Sequence, residues 1–142
     1  MQLTEERKEE IRRSVEELLE PYNGNLRSFT LQEERERLGI VLIGYSRHVS
    51  KELEIELYCI EGAAYIIAIH PSLRRISGYM LGHEIGHIQL GHLPARKVES
   101  PEDTPIEREE ANYFSEYLNK RLSGINWLKG LKVENIDDLM NE

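Results

Sequence analysis

The stretch ISGYMLGHEIGHIQLGH, residues 76–92, decides how the chain is best interpreted. Its apolar and small residues recur with helical spacing, so we expect a helix that begins near Ser72 and ends at about Leu90. His83 and His87 are four residues apart. On a helix, residues four apart lie one turn above each other, with about 5–6 Å between their Cβ atoms.

The two histidines and the glutamate between them form an HExxH pattern. The imidazoles of His83 and His87 can aim at one point, and zinc commonly takes three protein ligands at catalytic sites. Glu84 lies about 100° around the helix from His83, so it can reach a water at the metal without binding the metal itself. The pattern predicts His83 and His87 as metal ligands and Glu84 as the general base of a metallopeptidase. The alternative is a pair of hydrogen-bonded histidines on an inert helix surface.

Glycines at positions 78, 82 and 86 form a smooth ridge along one side of this helix. Each interior glycine costs about 1 kcal/mol relative to alanine. That cost suggests the close approach of another element, such as a strand behind the site. The alternative is that the segment is not one continuous helix.

His92 follows His83 by nine residues. The longer HExxHxxGxxH pattern places a third histidine ten residues after the first and a glycine six after it. Here position 89 is Gln, and the last histidine comes one residue early. We therefore interpret His92 as a surface histidine, or one that supports a ligand, rather than as a ligand itself.

The rest of the chain predicts a small mixture of helices and strands. Capping residues and apolar spacing indicate helices over 4–20 and 31–38, a third from Pro105, and a short one near 136–140. Residues 40–45 form a candidate strand, and the runs 53–59 and 64–69 form a hairpin with a turn at Glu61-Gly62. His70-Pro71 is expected to end the sheet.

Length and composition favour one ordinary domain, residues 1–142. The formal net charge is −8, without a long basic run, which argues against direct nucleic-acid binding. Cys59 is the one cysteine, so no disulfide framework exists, and we expect it to be a small buried hydrophobe. The charged N-terminus lacks a secretory signal, and the apolar runs are too short to span a bilayer. We therefore expect a cytoplasmic protein with no membrane contact.

Two segments together resemble the ImmA/IrrE family of metallo-endopeptidases. They are GHEIGHIQLGH and, about twenty residues later, EREEANYFSEYL; the lead-in AYIIAIHPSLRRISGYMLGHEIGH is also similar, and the resemblance covers roughly 55–122. The resemblance implies a cytoplasmic zinc protease with a gluzincin-like α+β core. It also implies a protein substrate, often a helix-turn-helix repressor. On the matching positions, His83 and His87 would bind Zn²⁺ and Glu84 would be the base.

The third metal ligand is where the chain departs from that family. The family's glutamate stands four residues before the asparagine of A-N-x-F, and here that position holds Arg108. On a helical wheel, Glu107 shares the stripe that faces the protein, Glu110 lies about 90° away and Glu109 points nearly opposite. One inserted residue, absorbed as a π-bulge, would bring Glu107 into register. We favour Glu107, with Glu110 or Glu109 as alternatives.

The expected fold is therefore α+β: a small zincin-like domain with a short antiparallel or mixed three-stranded sheet packed against the HExxH helix and a carboxylate-bearing helix. The expected function is zinc-dependent cleavage of a protein partner. The alternative is a regulatory binding module that keeps the fold without the activity. The acidic 99–110 segment could attract a basic substrate or be a solvated loop. The oligomeric state stays open, as does the oxyanion stabiliser, for which the candidates are Tyr79, Tyr113, Tyr117 and His92.

Overall fold

The computed structural model describes residues 3–61, 64–92 and 104–140. Within these ranges the chain forms a mixed α+β fold. The helices are α1 Glu5–Leu19, α2 Leu31–Leu38, α3 Gly78–Gln89, α4 Pro105–Arg121 and α5 Ile136–Met140. The strands are β1 Ile40–Tyr45, β2 Ile55–Ile60, β3 Ala64–Ile69 and β4 Glu134–Asn135. The turn predicted at Gly62 and most of the acidic segment, including Glu99, Glu102 and Asp103, lie outside the described residues.

The predicted N-terminal elements are confirmed, and their ends follow from local chemistry. The hydroxyl of Thr4 accepts a hydrogen bond from the Arg7 backbone N–H and caps α1. Thr30 caps α2 in the same way, and Gly39 ends that helix with a φ of 79°. Glycine tolerates this left-handed conformation without a Cβ penalty, which is why the helix stops there.

The sheet is mixed and has four strands in the order β2-β3-β1-β4. The predicted β2–β3 hairpin is confirmed as antiparallel, whereas β1 runs parallel to β3 and to β4. The expected three-stranded sheet was therefore one strand short, and the sheet does not end at Pro71. Strand β4 has only two polar residues, which pair with Gly44 and Tyr45. Such a short polar strand carries no apolar alternation to predict it.

The buried core unites the helices with one face of the sheet. Apolar side chains from α1, α2, three strands, α3, α4 and the tail form one cluster, whose fully buried members include Phe29, Ile43, Ile67, Leu81 and Phe114. Cys59 is buried in this cluster, as expected. Among the described residues, none of the helices is both long and apolar enough to cross a bilayer.

Helix α3 is continuous through the HExxH pattern but begins later than expected. Ser77 caps it by accepting a hydrogen bond from the Met80 backbone N–H at 3.1 Å. This N-cap fixes the start at Gly78, about six residues after the predicted Ser72. The extended backbone of Ser77 excludes it from the helix, which a spacing pattern alone does not reveal.

The glycine ridge of α3 packs against α4, not against a strand. A Cβ on Gly78 would lie 2.6 Å from Asn119 Oδ1, and one on Gly86 would lie 3.1 Å from Phe114 Cβ. A Cβ on Gly82 would overlap the Ser115 hydroxyl. Close approach was thus predicted correctly, but the partner was wrong. The missing side chains let two antiparallel helices lie close enough for α4 to reach the histidines.

Two arginine–glutamate pairs join α1 to α4. Arg7 contacts Glu110 near the start of α4, with Nε 2.8 Å from Oε2. Arg121 contacts Glu16 near its end, with Nε 2.7 Å from Oε2. Helix α4 therefore packs against both α1 and α3, and its first two turns lie beside the HExxH pattern.

Candidate metal centre

The imidazoles of His83 and His87 converge. Their Nε2 atoms are 3.1 Å apart, and the rings meet edge to face with centroids 4.6 Å apart. Two nitrogen ligands about 2.0–2.1 Å from one tetrahedral ion would lie about 3.3 Å apart. The helix therefore brings the predicted ligands together as a pair that one ion could bridge.

The outer nitrogen of His83 is engaged by α4. Its Nδ1 lies 2.7 Å from Oδ1 of Asn112, so the ring donates its Nδ1–H to the amide oxygen. A neutral imidazole with a proton on Nδ1 has its lone pair on Nε2. Asn112 thereby fixes the tautomer in which His83 could bind a metal through Nε2.

The outer nitrogen of His87 begins a chain of polar contacts. Its Nδ1 lies 2.8 Å from Nδ1 of His92, and Nε2 of His92 lies 2.9 Å from Oε1 of Glu110. Arg7 holds the same carboxylate through two contacts of 2.8 and 2.9 Å. His87 and His92 are only 3% and 7% exposed, so these contacts are shielded from water. The interpretation of His92 as a surface histidine was therefore wrong, because its neighbours bury it; its role as a support for a ligand stays a prediction that is compatible with this geometry.

The chain of contacts assigns the protons when both rings are neutral. A carboxylate only accepts, so His92 must carry its proton on Nε2, which faces Glu110. Its Nδ1 then accepts the Nδ1–H of His87. The lone pair of His87 is left on Nε2, directed toward the lone pair of His83. Two lone pairs at 3.1 Å repel each other, and a cation bound to both would remove that repulsion.

The charge of Glu110 is maintained by its neighbours. The hydrogen bonds from Arg7 lower the pKa of this carboxyl group most strongly, burial opposes them, and the contact with His92 lowers the pKa further. Glu110 therefore stays ionised at neutral pH and acts as an acceptor for His92. Because both of its oxygens contact Arg7, we place it behind His92 rather than at the metal.

The donor set suits zinc in part. Two imidazole nitrogens are ligands that zinc prefers, and a carboxylate commonly completes such a set. Within the ranges that the structure describes, no three His, Cys, Asp or Glu side chains are grouped as a metal site. His83 and His87 therefore fit a divalent ion as two of its protein ligands, and a third protein ligand is still needed.

Three glutamates near the start of α4 are candidates for that third position. Glu107 takes part in a capping box with Thr104, whose backbone N lies 3.4 Å from Glu107 Oε1. Glu109 is half-buried, and its Oε2 atom is buried with no hydrogen-bond partner among the residues described. The expectation that Glu109 points away from the protein was therefore wrong. The start of α1 lies over that face of α4, with Leu3 and Lys8 in the cleft that Glu109 lines.

Arg108 stands one turn before Asn112, where the resembling family has its metal-binding glutamate. Its side chain is exposed. Helix α4 is α-helical from Pro105 onward, so no π-bulge shifts Glu107 into this register. Glu107 as a ligand stays a prediction.

Glu84 lies on the same helix as the pair and is 6% exposed. Its position between the two ligands keeps it within one turn of the space they face. The placement is compatible with the predicted role of general base, which stays a prediction.

The candidate oxyanion stabilisers are narrowed by their contacts. The Tyr113 hydroxyl contacts Arg12, the Tyr117 hydroxyl donates to Glu16, and His92 lies in the chain to Glu110. Tyr79 is 43% exposed and stands one turn before His83 on α3. Burial, and secondarily Glu116, raise the pKa of Tyr79, so its hydroxyl keeps its proton at neutral pH. Among the described contacts, the hydroxyl of Tyr79 is therefore the most available donor of these four candidates.

Sequence reasoning found the histidine pair but missed its supports. Neither Asn112 nor Arg7 was given a role at the site, although Asn112 belonged to the motif that carried the resemblance. Arg7 and Glu110 are 103 residues apart, and no local spacing can connect them. The asparagine could have been found by asking which α4 residue lies opposite His83 in an antiparallel helix pair.

A cleft of about 350 Å³ adjoins the centre on the side of α1. It is lined by Leu3, Lys8, Glu109, Asn112, Tyr113 and Glu116. Asn112 is shared between this cleft and the histidine pair.

A search against family models found no match for the chain, and neither a curated protein nor a solved structure matches it.

Proposed function

We propose that this protein is a zinc-dependent endopeptidase. The observation that supports the proposal is the convergence of His83 Nε2 and His87 Nε2, each ring having its Nδ1 engaged by a neighbouring side chain. This is the arrangement expected of two metal-binding imidazoles with supporting partners. His83 and His87 would hold the ion, and a carboxylate from α4 would complete the set.

The roles of the chain's own residues follow from their positions. When bound, zinc supplies a Lewis-acid centre that polarises the scissile carbonyl group. Glu84 would take a proton from the attacking water and pass it to the leaving amine. Tyr79 would donate a hydrogen bond to the oxygen on which charge develops. The third ligand would be Glu107 or Glu109; the Oε2 atom of Glu109, which is buried with no hydrogen-bond partner among the described residues, favours Glu109.

Zinc content and cleavage test this proposal together. The protein is loaded with zinc, freed of excess metal by gel filtration, and assayed against a random peptide library read by mass spectrometry. We expect about one zinc per chain and cleavage of library peptides. Glu84→Gln should keep the zinc and lose the cleavage, because it removes the base without touching a ligand. Cleavage that survives in Glu84→Gln would exclude Glu84 as the base.

Glutamates 107, 109 and 110 provide a matched set for locating the third ligand. Glu107→Gln, Glu109→Gln and Glu110→Gln each remove one charge from the same helix end. The visible spectrum of the Co²⁺-substituted protein reports the coordination number. We expect one of the first two variants to change that spectrum and Glu110→Gln to leave the coordination number unchanged.

A metal-free regulatory binding module is the second candidate, and a specific observation favours it. The Nε2···Nε2 distance of 3.1 Å is also a hydrogen-bond distance. If His92 carried an additional proton, His87 could accept from His92 and donate from its own Nε2 to His83, and the chain would be satisfied without a metal. Exposed Arg108 at the expected ligand position is consistent with this reading. A failure of the protein to bind zinc at any stoichiometry would favour the regulatory binding module.

The substrate proposal rests on the resemblance to the ImmA/IrrE family. It suggests a protein partner, such as a helix-turn-helix repressor, and a cytoplasmic location. A chain of net charge −8 is better matched to a basic partner surface than to a nucleic acid. Cleavage sites found in the peptide library would supply the sequence preference needed to recognise such a partner.

A further inference from the structure

Helix α1 is connected to the histidine pair through a path of three contacts. Arg7 on α1 holds Glu110 on α4, Glu110 contacts His92 just after α3, and His92 contacts His87 within α3. Each distance lies between 2.8 and 2.9 Å. The path therefore joins three helices at the candidate ligand, although α1 itself supplies no ligand.

We propose that Glu110, held by Arg7, acts through His92 to fix the proton of His87 on Nδ1, which directs the Nε2 lone pair of His87 toward the metal position. Glu110, His92 and Arg7 are positioning residues in this proposal, because none of them touches the ion or the reacting atoms. The inference deepens the proposed zinc peptidase and rests on it for its purpose. The proton arrangement itself can be tested without zinc.

The geometry gives each residue a distinct part. Arg7 binds both carboxylate oxygens of Glu110, which orients the carboxylate plane. Oε1 of Glu110 then faces His92 and can only accept, so a neutral His92 is protonated on Nε2. Nδ1 of His92 can only accept in turn. Glu110 thus sets the tautomer of His92, and His92 in turn sets the tautomer of His87.

Burial strengthens the contacts of the relay, the name used from here for the path from Glu110 through His92 to His87. The side chain of Glu110 is 12% exposed, and both histidines are buried. Water cannot readily replace any one of these contacts. A change at Glu110 is therefore expected to alter the tautomer of His87. Partners of this kind typically contribute 10–100-fold to metal affinity.

The second arginine–glutamate pair offers a matched control. Arg121 and Glu16 also join α1 to α4, again through two contacts, of 2.7 and 3.0 Å. They lie at the far end of α4 and contact no histidine in the described structure. Glu16→Gln therefore weakens the same helix interface as Glu110→Gln while leaving the relay intact.

The first measurement is the protonation of the rings. In the metal-free protein labelled with ¹⁵N-histidine, the pH is raised until the ring shifts show that His87 and His92 are neutral. We expect His92 to be protonated on Nε2 and His87 on Nδ1. The opposite pair of tautomers would overturn the proposal. In Glu110→Gln this preference should be lost, because an amide can either donate or accept.

The second measurement is zinc affinity, obtained by competition with a chromophoric chelator. We expect Glu110→Gln to bind zinc about 10–100-fold more weakly, Arg7→Gln to show a smaller loss, and Glu16→Gln to match the wild type. Equal affinity in Glu110→Gln, or an equal loss in Glu16→Gln, would refute the relay. If the wild type binds no zinc, the peptidase proposal fails, and the ring tautomers alone decide the relay.

Discussion

The Oδ1 atom of Asn112 on α4 lies 2.7 Å from Nδ1 of His83 on α3. This contact crosses the helix interface that the glycine ridge makes possible. It means that the candidate centre depends on two helices even before a third ligand is considered. Removing it tests whether α4 orients the histidine.

We expect Asn112→Ala to weaken zinc binding by about 10–100-fold, because the His83 ring loses the acceptor that fixes its tautomer. Asn112→Asp should retain much of the affinity, since a carboxylate accepts the same hydrogen bond. Chelator competition measures both variants. Asn119→Ala is the control: Asn119 bonds to Gly78 O and Ser115 elsewhere on the same interface. A similar affinity loss in the control would assign the effect to packing.

The glycine ridge makes a prediction about stability. We expect Gly82→Ala to lower the free energy of unfolding by about 1–3 kcal/mol, because the new methyl group would overlap the Ser115 side chain. Urea unfolding followed by circular dichroism measures this change. A Cβ on Gly24 would meet nothing within 4 Å, so Gly24→Ala should be nearly neutral. Equal stability of the two variants would show that the helices are not so closely packed.

Glu110 makes stability depend on pH. Its folded pKa is lowered, chiefly by Arg7. It therefore stabilises the fold above its unfolded pKa of about 4.3, and that contribution is lost as the pH falls through the lowered folded value. At neutral pH we expect Glu110→Gln to cost about 1–2 kcal/mol. The difference from the wild type should shrink in acid, as urea melts across pH would show. A difference that grew in acid would contradict this assignment.

Tyr79 is tested by removing only its hydroxyl group. We expect Tyr79→Phe to keep its zinc and lose cleavage by about 10²-fold or more, as for other single oxyanion donors. Tyr117→Phe is the control, because that hydroxyl donates to Glu16 on α1. Peptide-library turnover measures both. Full activity in Tyr79→Phe would exclude Tyr79 as the oxyanion donor.

Helix ends and the hairpin could be predicted because they depend on local chemistry. Thr4, Thr30 and Pro105 mark helix starts, and Gly39 marks an end, as the structure confirms. The start of α3 could not be placed from spacing, because one capping hydroxyl at Ser77 decides it. Strand β4 could not be predicted, because its two residues join the sheet through backbone pairing and not through an apolar pattern.

The histidine pair could be predicted, but its surroundings could not. HExxH is a local pattern, and the helix period alone brings the two rings together. The supports of those rings come from residues far along the chain, such as Arg7. The orientation of Glu109 depends on how α1 lies over α4, which a helical wheel for a single helix omits.

The most direct test of the metal centre is anomalous scattering at the zinc edge from crystals grown with excess zinc. We expect one ion about 2.0–2.1 Å from Nε2 of both His83 and His87, with a carboxylate oxygen of Glu107 or Glu109 completing the protein ligands. His92 should remain outside the ligand set, in contact with His87. A map with no peak between the two rings at saturating zinc would contradict the proposal.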